Sequence, residues 1–367
     1  MIRLRRGTVV DVLAERPGVV ELSVEVEGAV AAALAYPGLV GPVAPGDRVL
    51  LNTTAVWLEL GTGGAHFVVA VEGQPDLQPP KGSGRTMKLR YTPQQVNVLS
   101  VEESGSPHRP AMEAATTLEG MPVVWVPLHS MIGPVAAGAR AAGASLVVYV
   151  MTDGAALPAA LSRLSARLRG AGMLEAVVST GQAFGGDLEA VNVFSGFLAA
   201  RHVAGADVVV VGDGPGNTGT GTTWGATDIE SAMSLNAAAI LGARPVAALR
   251  ISFADLRERH RGVSHHSLTA LGRVALQSVH VAVPVLKDGV ERSAIWEALR
   301  AARLHEKHQL VETTGRPALD LLDERGIEVE SMGRTVKDDP VFFLAAGAAG
   351  VLAGRMASRD RTWRASS

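Results

Sequence analysis

The 367-residue chain contains no cysteine, which excludes disulfides, cysteine-ligated zinc, iron–sulfur clusters and a thiol nucleophile. Any metal would have to be held by histidine and carboxylates. A surplus of positive charge is also missing: 34 basic residues face 36 acidic ones for a formal charge of -2, so the balance gives no general attraction for nucleic acid. Aromatic residues amount to 4%, too few for a series of base-stacking platforms. No uninterrupted apolar run is long enough for a membrane span, and the stretch 342–352 is apolar but short, reading as a buried helix. The start, Met1-Ile-Arg-Leu-Arg-Arg-Gly, passes into alternating strand sequence and not into an apolar signal core. The expectation is a cytoplasmic protein that engages neither membrane nor nucleic acid.

What is present, 47% hydrophobic and 19% charged residues, is the composition of a globular protein with a large core, and its length suggests two domains. From residue 2 to about 71 the pattern is β. Val20, Leu22, Val24 and Val26 alternate with Glu21, Ser23, Glu25 and Glu27, a period of two that buries one face. Turns at Arg16-Pro-Gly, Tyr36-Pro-Gly and Pro45-Gly-Asp separate about five strands, the last two over 48–60 and 66–71, enough for a small barrel. Residues 73–85, rich in proline and glycine, read as a linker, which gives a barrel-like domain over 1–85 and an α/β ligand-binding domain over 86–367. Segments 87–91 and 96–101 read as two further strands.

Beyond Pro107 short Val-rich runs at 123–126, 146–151, 176–178, 208–211, 246–251 and 279–283 have the continuous apolar character of parallel strands buried on both faces. Crossover helices are expected between them over 131–142, 155–169, 188–204, 229–241 and 268–277. Repeated strand–helix units predict a doubly wound, mostly parallel sheet. Later helices are expected at 295–304, 317–323 and 341–352, with Asp338 and Asp339 as caps for the last, late strands at 308–311 and 327–330, and a frayed tail with four arginines after residue 354.

In such a sheet the ligand crevice lies beyond the carboxyl ends of the strands. His129-Ser130, Asp153, the polar run 179–182, Asp213 and the segment 252–255 all follow predicted strands, and Ser130, His129 and Asp213 would form a Ser–His–Asp set if the fold gathered them. The strand 208–211 leads into Gly212-Asp-Gly-Pro-Gly-Asn-Thr-Gly-Thr-Gly-Thr-Thr-Trp-Gly225, and Thr227-Asp-Ile-Glu230 then has the form of a capping box opening a helix that runs to 241. Strand, glycine loop and helix N-terminus make an anion-binding arrangement. Gly214-Pro-Gly-Asn-Thr-Gly219 matches G-x-G-x-x-G, but no acidic residue closes the next strand at the dinucleotide spacing, and no lysine follows as in a Walker A loop. The backbone and hydroxyl groups of Gly214, Gly216, Asn217, Thr218, Gly219, Thr220, Gly221, Thr222 and Thr223 remain as a phosphate cradle of another kind, or as a tight turn that binds nothing.

A second constellation, Asp255-Leu-Arg-Glu-Arg-His-Arg-Gly-Val-Ser-His-His-Ser267, concentrates ionisable residues in one loop. Arg257, Arg259 and Arg261 suit phosphate. Ser264 is placed to cap a helix whose first turn holds His265 and His266, where the dipole disfavours imidazolium. Sequence neighbours diverge, so at most one of these two is expected to pair with His260. His305 and His308 read as surface residues.

With Gly214-Pro-Gly-Asn-Thr-Gly-Thr-Gly-Thr222, Arg257-Glu-Arg-His-Arg-Gly-Val-Ser-His-His266 and Met332-Gly-Arg334, the chain resembles a bacterial family catalogued as domain of unknown function 3866 over most of its length. The resemblance implies that the two loops form one site, and it implies no activity. The leading expectation is a protein that binds a phosphorylated small molecule, a nucleotide included, between the two loops and catalyses phosphoryl transfer or hydrolysis. Asp213 would hold a cation or water, a neutral His260, His265 or His266 would move a proton, and a divalent cation would accompany a nucleotide. Two alternatives are a non-catalytic sensor or scaffold and a His/Asp metal-dependent hydrolase; an oligomer is compatible with each.

Overall fold

The computed structural model describes residues 2–60, 64–74 and 84–365. It divides into two compact units, Met1–Val98 and Leu99–Ser367, where the sequence suggested 85/86. Most of the expected linker, 75–83, lies outside the described residues.

In the first unit β1 (Leu4–Arg16), β2 (Val19–Val26), β3 (Ala29–Ala35), β4 (Arg48–Asn52) and β5 (His66–Val71) close into a barrel of order β1-β2-β3-β5-β4. Closure follows from the length of β1, whose first residues pair with β4 and whose remainder pairs with β2, while β3 and β5 meet in parallel. The alternating residues Val20, Leu22, Val24 and Val26 point inward, onto Val49, Leu51 and Val68. The expected strand 48–60 stops at Asn52, because Thr54–Trp57 turns into a short helix. A hairpin of β6 (Thr86–Lys88) and β7 (Val96–Val98) completes the unit.

The second unit is built on β8 (Pro122–Trp125), β9 (Val147–Thr152), β10 (Ala176–Ser179), β11 (Leu188–Glu189), β12 (Val208–Asp213), β13 (Arg244–Ala247), β16 (His280–Pro284) and β17 (Gln309–Thr313), with a small ladder of β14 (Ile251–Ser252) and β15 (Gly262–Val263) beside them. Its eight strands run in the order β11-β10-β9-β12-β8-β13-β16-β17 and all pairs are parallel. Successive residues feed two different cores: Val209 and Val211 pack with Trp125 and Phe197 on one face, Val208 and Val210 with Tyr149 and Phe342 on the other. That double burial is why these strands read as unbroken apolar runs.

Helices depart from expectation where local hydrogen bonding wins. The segment 155–169 becomes α-helical only at Arg163, after a 3-10 turn over Ala159–Leu161, since Leu157 and Ala159 first pair with Phe184 and Ser162 then caps the helix. In 188–204 the first residues form β11, and Asn192 with Ser195 makes a capping box that starts the helix at Val193. The segment 268–277 begins earlier, at His265, and ends in a π-turn over Ala270–Val274. Of the late strand 327–330 only Glu330 pairs, within β18 (Glu330–Ser331), which meets β19 (Arg334–Thr335) across a turn in which Met332 and Gly333 both have positive φ.

The last helix, Pro340–Ala365, continues where a frayed tail was expected. Its segment Pro340–Ser358 is long and apolar enough to cross a membrane, yet 78% of that window is buried inside the protein, so it serves here as a core helix. It lies against the helix Ile132–Ala141 at backbone contact: a Cβ on Gly138 would sit 2.5 Å from the Gly347 carbonyl oxygen and 2.9 Å from the Val351 nitrogen. Gly138→Ala should therefore destabilise the protein by about 1–3 kcal/mol in denaturant unfolding, through forced separation of the two helices. Gly170→Ala, where a Cβ meets nothing within 4 Å, is the control and should be near neutral. Equal midpoints for both variants would show that the close approach is not needed.

Candidate functional site

The carboxyl end of β12 delivers Asp213 into the interior, 2% exposed, between β9 and the turn after β8. Its carboxylate accepts from Thr152 Oγ1 at 2.6 Å and Asn217 Nδ2 at 3.1 Å, with the Thr227 hydroxyl and the Gly154 N–H also donating. Burial nevertheless pushes the carboxyl up to about 6, against these donors, and the nearby Asp228 adds to the rise.

The Ser–His–Asp set is not formed. Ser130 donates to Ser331 Oγ at 2.9 Å, and His129 reaches the Asp213 backbone carbonyl, not its carboxylate, at 3.2 Å. The other ring nitrogen of His129 meets Ser162 Oγ at 2.6 Å, and burial brings its pKa down to about 4, so the imidazole is a neutral interior spacer. Asp153 is also turned away from the glycine loop, accepting from the Gln182 N–H at 2.8 Å. His308 is a core residue, 5% exposed, with a nitrogen 2.9 Å from the Leu271 carbonyl, whereas His305 is exposed. Asp338 binds back onto Thr335, and Asp339 takes the Ser252 hydroxyl.

The glycine loop closes on itself. Thr220 N–H donates to the Gly225 carbonyl at 2.7 Å, Thr227 N–H donates to Thr218, and the Thr220 and Thr222 hydroxyls lie 2.8 Å apart. Gly214 is buried and Gly216 has φ +92, the one left-handed turn in this loop, while Thr218, Gly219, Gly221 and Thr223 are exposed. No capping box follows. Thr227–Ser231 is a five-residue helix whose N-cap, Ala226, has no side-chain bond, because the Thr227 hydroxyl is engaged with Asn217 and Asp213. A separate helix, Met233–Ile240, follows after Ala232. The first turn already holds a carboxylate: Asp228 accepts from its own N–H and that of Ile229, where the sequence suggested a phosphate.

Three histidines converge beyond this turn. Ligand atoms of His260, His265 and His266 all lie within 4.8 Å of one another, and the His265 and His266 ring centroids are 3.9 Å apart. Sequence neighbours therefore do share a direction here, with His260 brought over them by the short turn Glu258–His260. Ser264 stands at the N-cap of the helix His265–Thr269, but its hydroxyl meets His260 Nδ1 at 2.9 Å and does not cap. His266 Nε2 lies 3.2 Å from the Thr222 carbonyl, which can only accept, so the proton is assigned to Nε2 and Nδ1 keeps its lone pair. That Nδ1 is 3.8 Å from Asp228 Oδ1, and Gly219 packs against the same ring. The two loops singled out in the sequence thus meet at His266.

Burial, with Arg250 and Arg257 nearby, brings His260 down to about 3, and burial also lowers His265. Both are neutral at ordinary pH. Two polar atoms in the cluster have no hydrogen-bond partner, His265 Nε2 and Asp228 Oδ2. Arg257 is committed to Asp255, donating to both carboxylate oxygens at 2.9 and 2.7 Å, and these bonds hold the Asp255 carboxyl far below its usual range. Arg259 and Arg261 are exposed. Sequence reasoning missed Asp228, which lay inside an apparent capping motif, and Arg250, the last residue before β14.

Fold and site define a two-unit α/β protein with a barrel at its amino-terminal side and a histidine cluster at the carboxyl ends of a parallel sheet. A family model described as protein of unknown function (DUF3866) matches residues 32–350, and the chain belongs to that family. No curated protein matches it.

The Asp213 carboxyl gives a pH test. The folded protein holds this proton more tightly than an unfolded chain, in which the group has its ordinary value of 3.8. Stability is then greatest with Asp213 protonated and should fall as pH rises from about 4 to about 6, by up to about 3 kcal/mol. Asp213→Asn should flatten that segment of the stability profile. Identical slopes for the two proteins would remove the assignment.

Proposed function

We propose that the second unit is a metal-dependent hydrolase, its divalent cation held by His260, His265 and His266. The observation that carries this reading is the convergence of three histidine ligand atoms within 4.8 Å beside a buried carboxylate with an unpartnered oxygen. Support also comes from the partners of the rings. Ser264 fixes His260 through Nδ1 and the Thr222 carbonyl fixes His266 through Nε2, the outer contacts that orient metal-binding imidazoles. A neutral imidazole is the ligating form, and the environment of His260 and His265 keeps them in it.

His260, His265 and His266 would hold the cation, and a zinc-like ion held there would supply an activated water, whose pKa such ions lower to about 7. Asp228, with one oxygen that has no hydrogen-bond partner, would be placed to accept a proton at Oδ2 or to add a carboxylate to the ligand set. The glycine loop then has an orienting role, since its Thr222 carbonyl selects the His266 tautomer.

Protein produced in medium supplemented with zinc or cobalt should carry about one equivalent of metal per chain, and His260→Ala and His266→Ala should each lower metal affinity by at least about 100-fold, beyond the range of outer-contact losses. Chelation should abolish hydrolysis of a p-nitrophenyl ester or phosphate, and cobalt should restore it with the visible bands of a tetrahedral centre. Full metal retention by both variants, or no metal in the wild type, would sink the proposal.

A further inference from the structure

We infer that the group recognised beside the histidine cluster is a phosphoryl group, seated on the guanidiniums of Arg250 and Arg334; the inference rests on the metal-centre reading above. Arg250 is 6% exposed, and its Nε has no hydrogen-bond partner. Its backbone clamps the histidine helix, the carbonyl accepting from Ser264 N–H and the N–H donating to Ser267 Oγ. The side chain is therefore fixed next to the cluster, and its charge acts on His260, His265 and Asp228.

Its ion partner is shared. Asp255 Oδ2 lies 3.5 Å from Arg250 but 2.7 Å from Arg257, and Oδ1 takes two further bonds from Arg257. Arg334 reaches the same Asp255 oxygen at 3.6 Å and Asp339 Oδ2 at 3.3 Å, yet its Nε and Nη2 form no hydrogen bond, and that Asp339 oxygen accepts from Ser252 at 2.6 Å. Three guanidiniums thus share two carboxylates, and two of the three keep unfilled donors in a buried setting. Unfilled buried donors of this kind call for an acceptor.

Charge selects which acceptor. A divalent cation on three neutral imidazoles adds two positive charges to this excess, and Asp228, 3.8 Å from His266, can offset one of them. A carboxylate ligand would supply a single negative charge. A phosphoryl group supplies close to two near neutral pH, with three oxygens to divide between forked guanidiniums and a cation. The sequence pointed to Arg257, Arg259 and Arg261 for this task; the first is committed to Asp255 and the other two are exposed.

The test is inorganic phosphate, followed by titration calorimetry and phosphorus NMR on the full chain, metal-free and cobalt-loaded. Phosphate should bind the cobalt protein at least tenfold more tightly than the metal-free protein, and should bind more tightly than acetate. Arg334→Gln, at the rim, and Arg250→Lys, in the interior, should each weaken phosphate at least tenfold while the cobalt bands stay unchanged. Loss of phosphate binding in the arginine variants of a protein that takes up no cobalt would support the anion site and overturn the metal centre. Cobalt binding with no phosphate binding, undiminished phosphate affinity in a folded Arg334→Gln, or equal affinity for acetate would each overturn the phosphoryl assignment.

Discussion

The burial of one carboxylate organises the second unit. β12 is apolar and enclosed along its whole length, and it ends on Asp213, which stays inside. A carboxyl taken out of water must find donors or remain protonated, and here both happen in part. The donors come from separate places in the chain: Thr152 from β9, Asn217 from the start of the glycine loop, and Thr227 from its far end. Satisfying Asp213 thereby fixes both ends of that loop. It also sets where the short helix at Thr227 begins, hence where Asp228 stands, and Asp228 is the neighbour of His266. The histidine cluster inherits its position from a hydrogen-bond requirement several residues away.

The electrostatic character of the cluster follows from the same enclosure. Histidines in water titrate near neutrality, but burial beside guanidinium groups removes the protonated form of His260 from the ordinary pH range. A buried neutral imidazole with a fixed tautomer has a lone pair to offer. Among the described residues this is the one group of histidines and acids close enough to share an ion. The arginines nearby do not make the rings redundant; by disfavouring imidazolium they preserve the lone pairs. Asp255 in turn keeps Arg257 and Arg250 from repelling each other freely, which is why a loop so rich in like charge can pack at all.

The fold was largely legible, the site only in outline. Continuous Val-rich runs announce a sheet covered on both faces, and alternating residues announce a barrel, since each pattern follows directly from which faces meet water. Strand order was not legible, because it depends on crossovers that the local pattern does not encode. The two loops were marked by composition, but the partners of several of their side chains were not legible, for definite reasons. Thr227 and Ser264 look like caps in sequence, and in three dimensions their hydroxyls are drawn to Asp213 and His260, stronger claims than an exposed helix end. His265 and His266 were expected to diverge as neighbours do on a long helix. At the very first turn, with His260 folded over them, they instead present ligand atoms to a common point. Arg250 carries no motif at all, and only packing reveals that its donors are unfilled.

The glycine loop changes meaning most. A run of glycine and threonine between a strand and a helix suggests backbone N–H groups waiting for an anion, but several of these N–H groups are already bound within the loop, and the helix beyond it is short and opens on an acid. Two of its glycines, Gly214 and Gly225, answer a packing demand. A Cβ on Gly214 would meet the Ala156 carbonyl, and one on Gly225 would strike the Thr220 and Thr222 hydroxyls. What the compact loop presents outward is a carbonyl, that of Thr222, held against His266 Nε2. A donor-rich cradle would attract phosphate directly. A loop that presents an acceptor to a histidine acts one step removed, by setting which ring nitrogen keeps its lone pair.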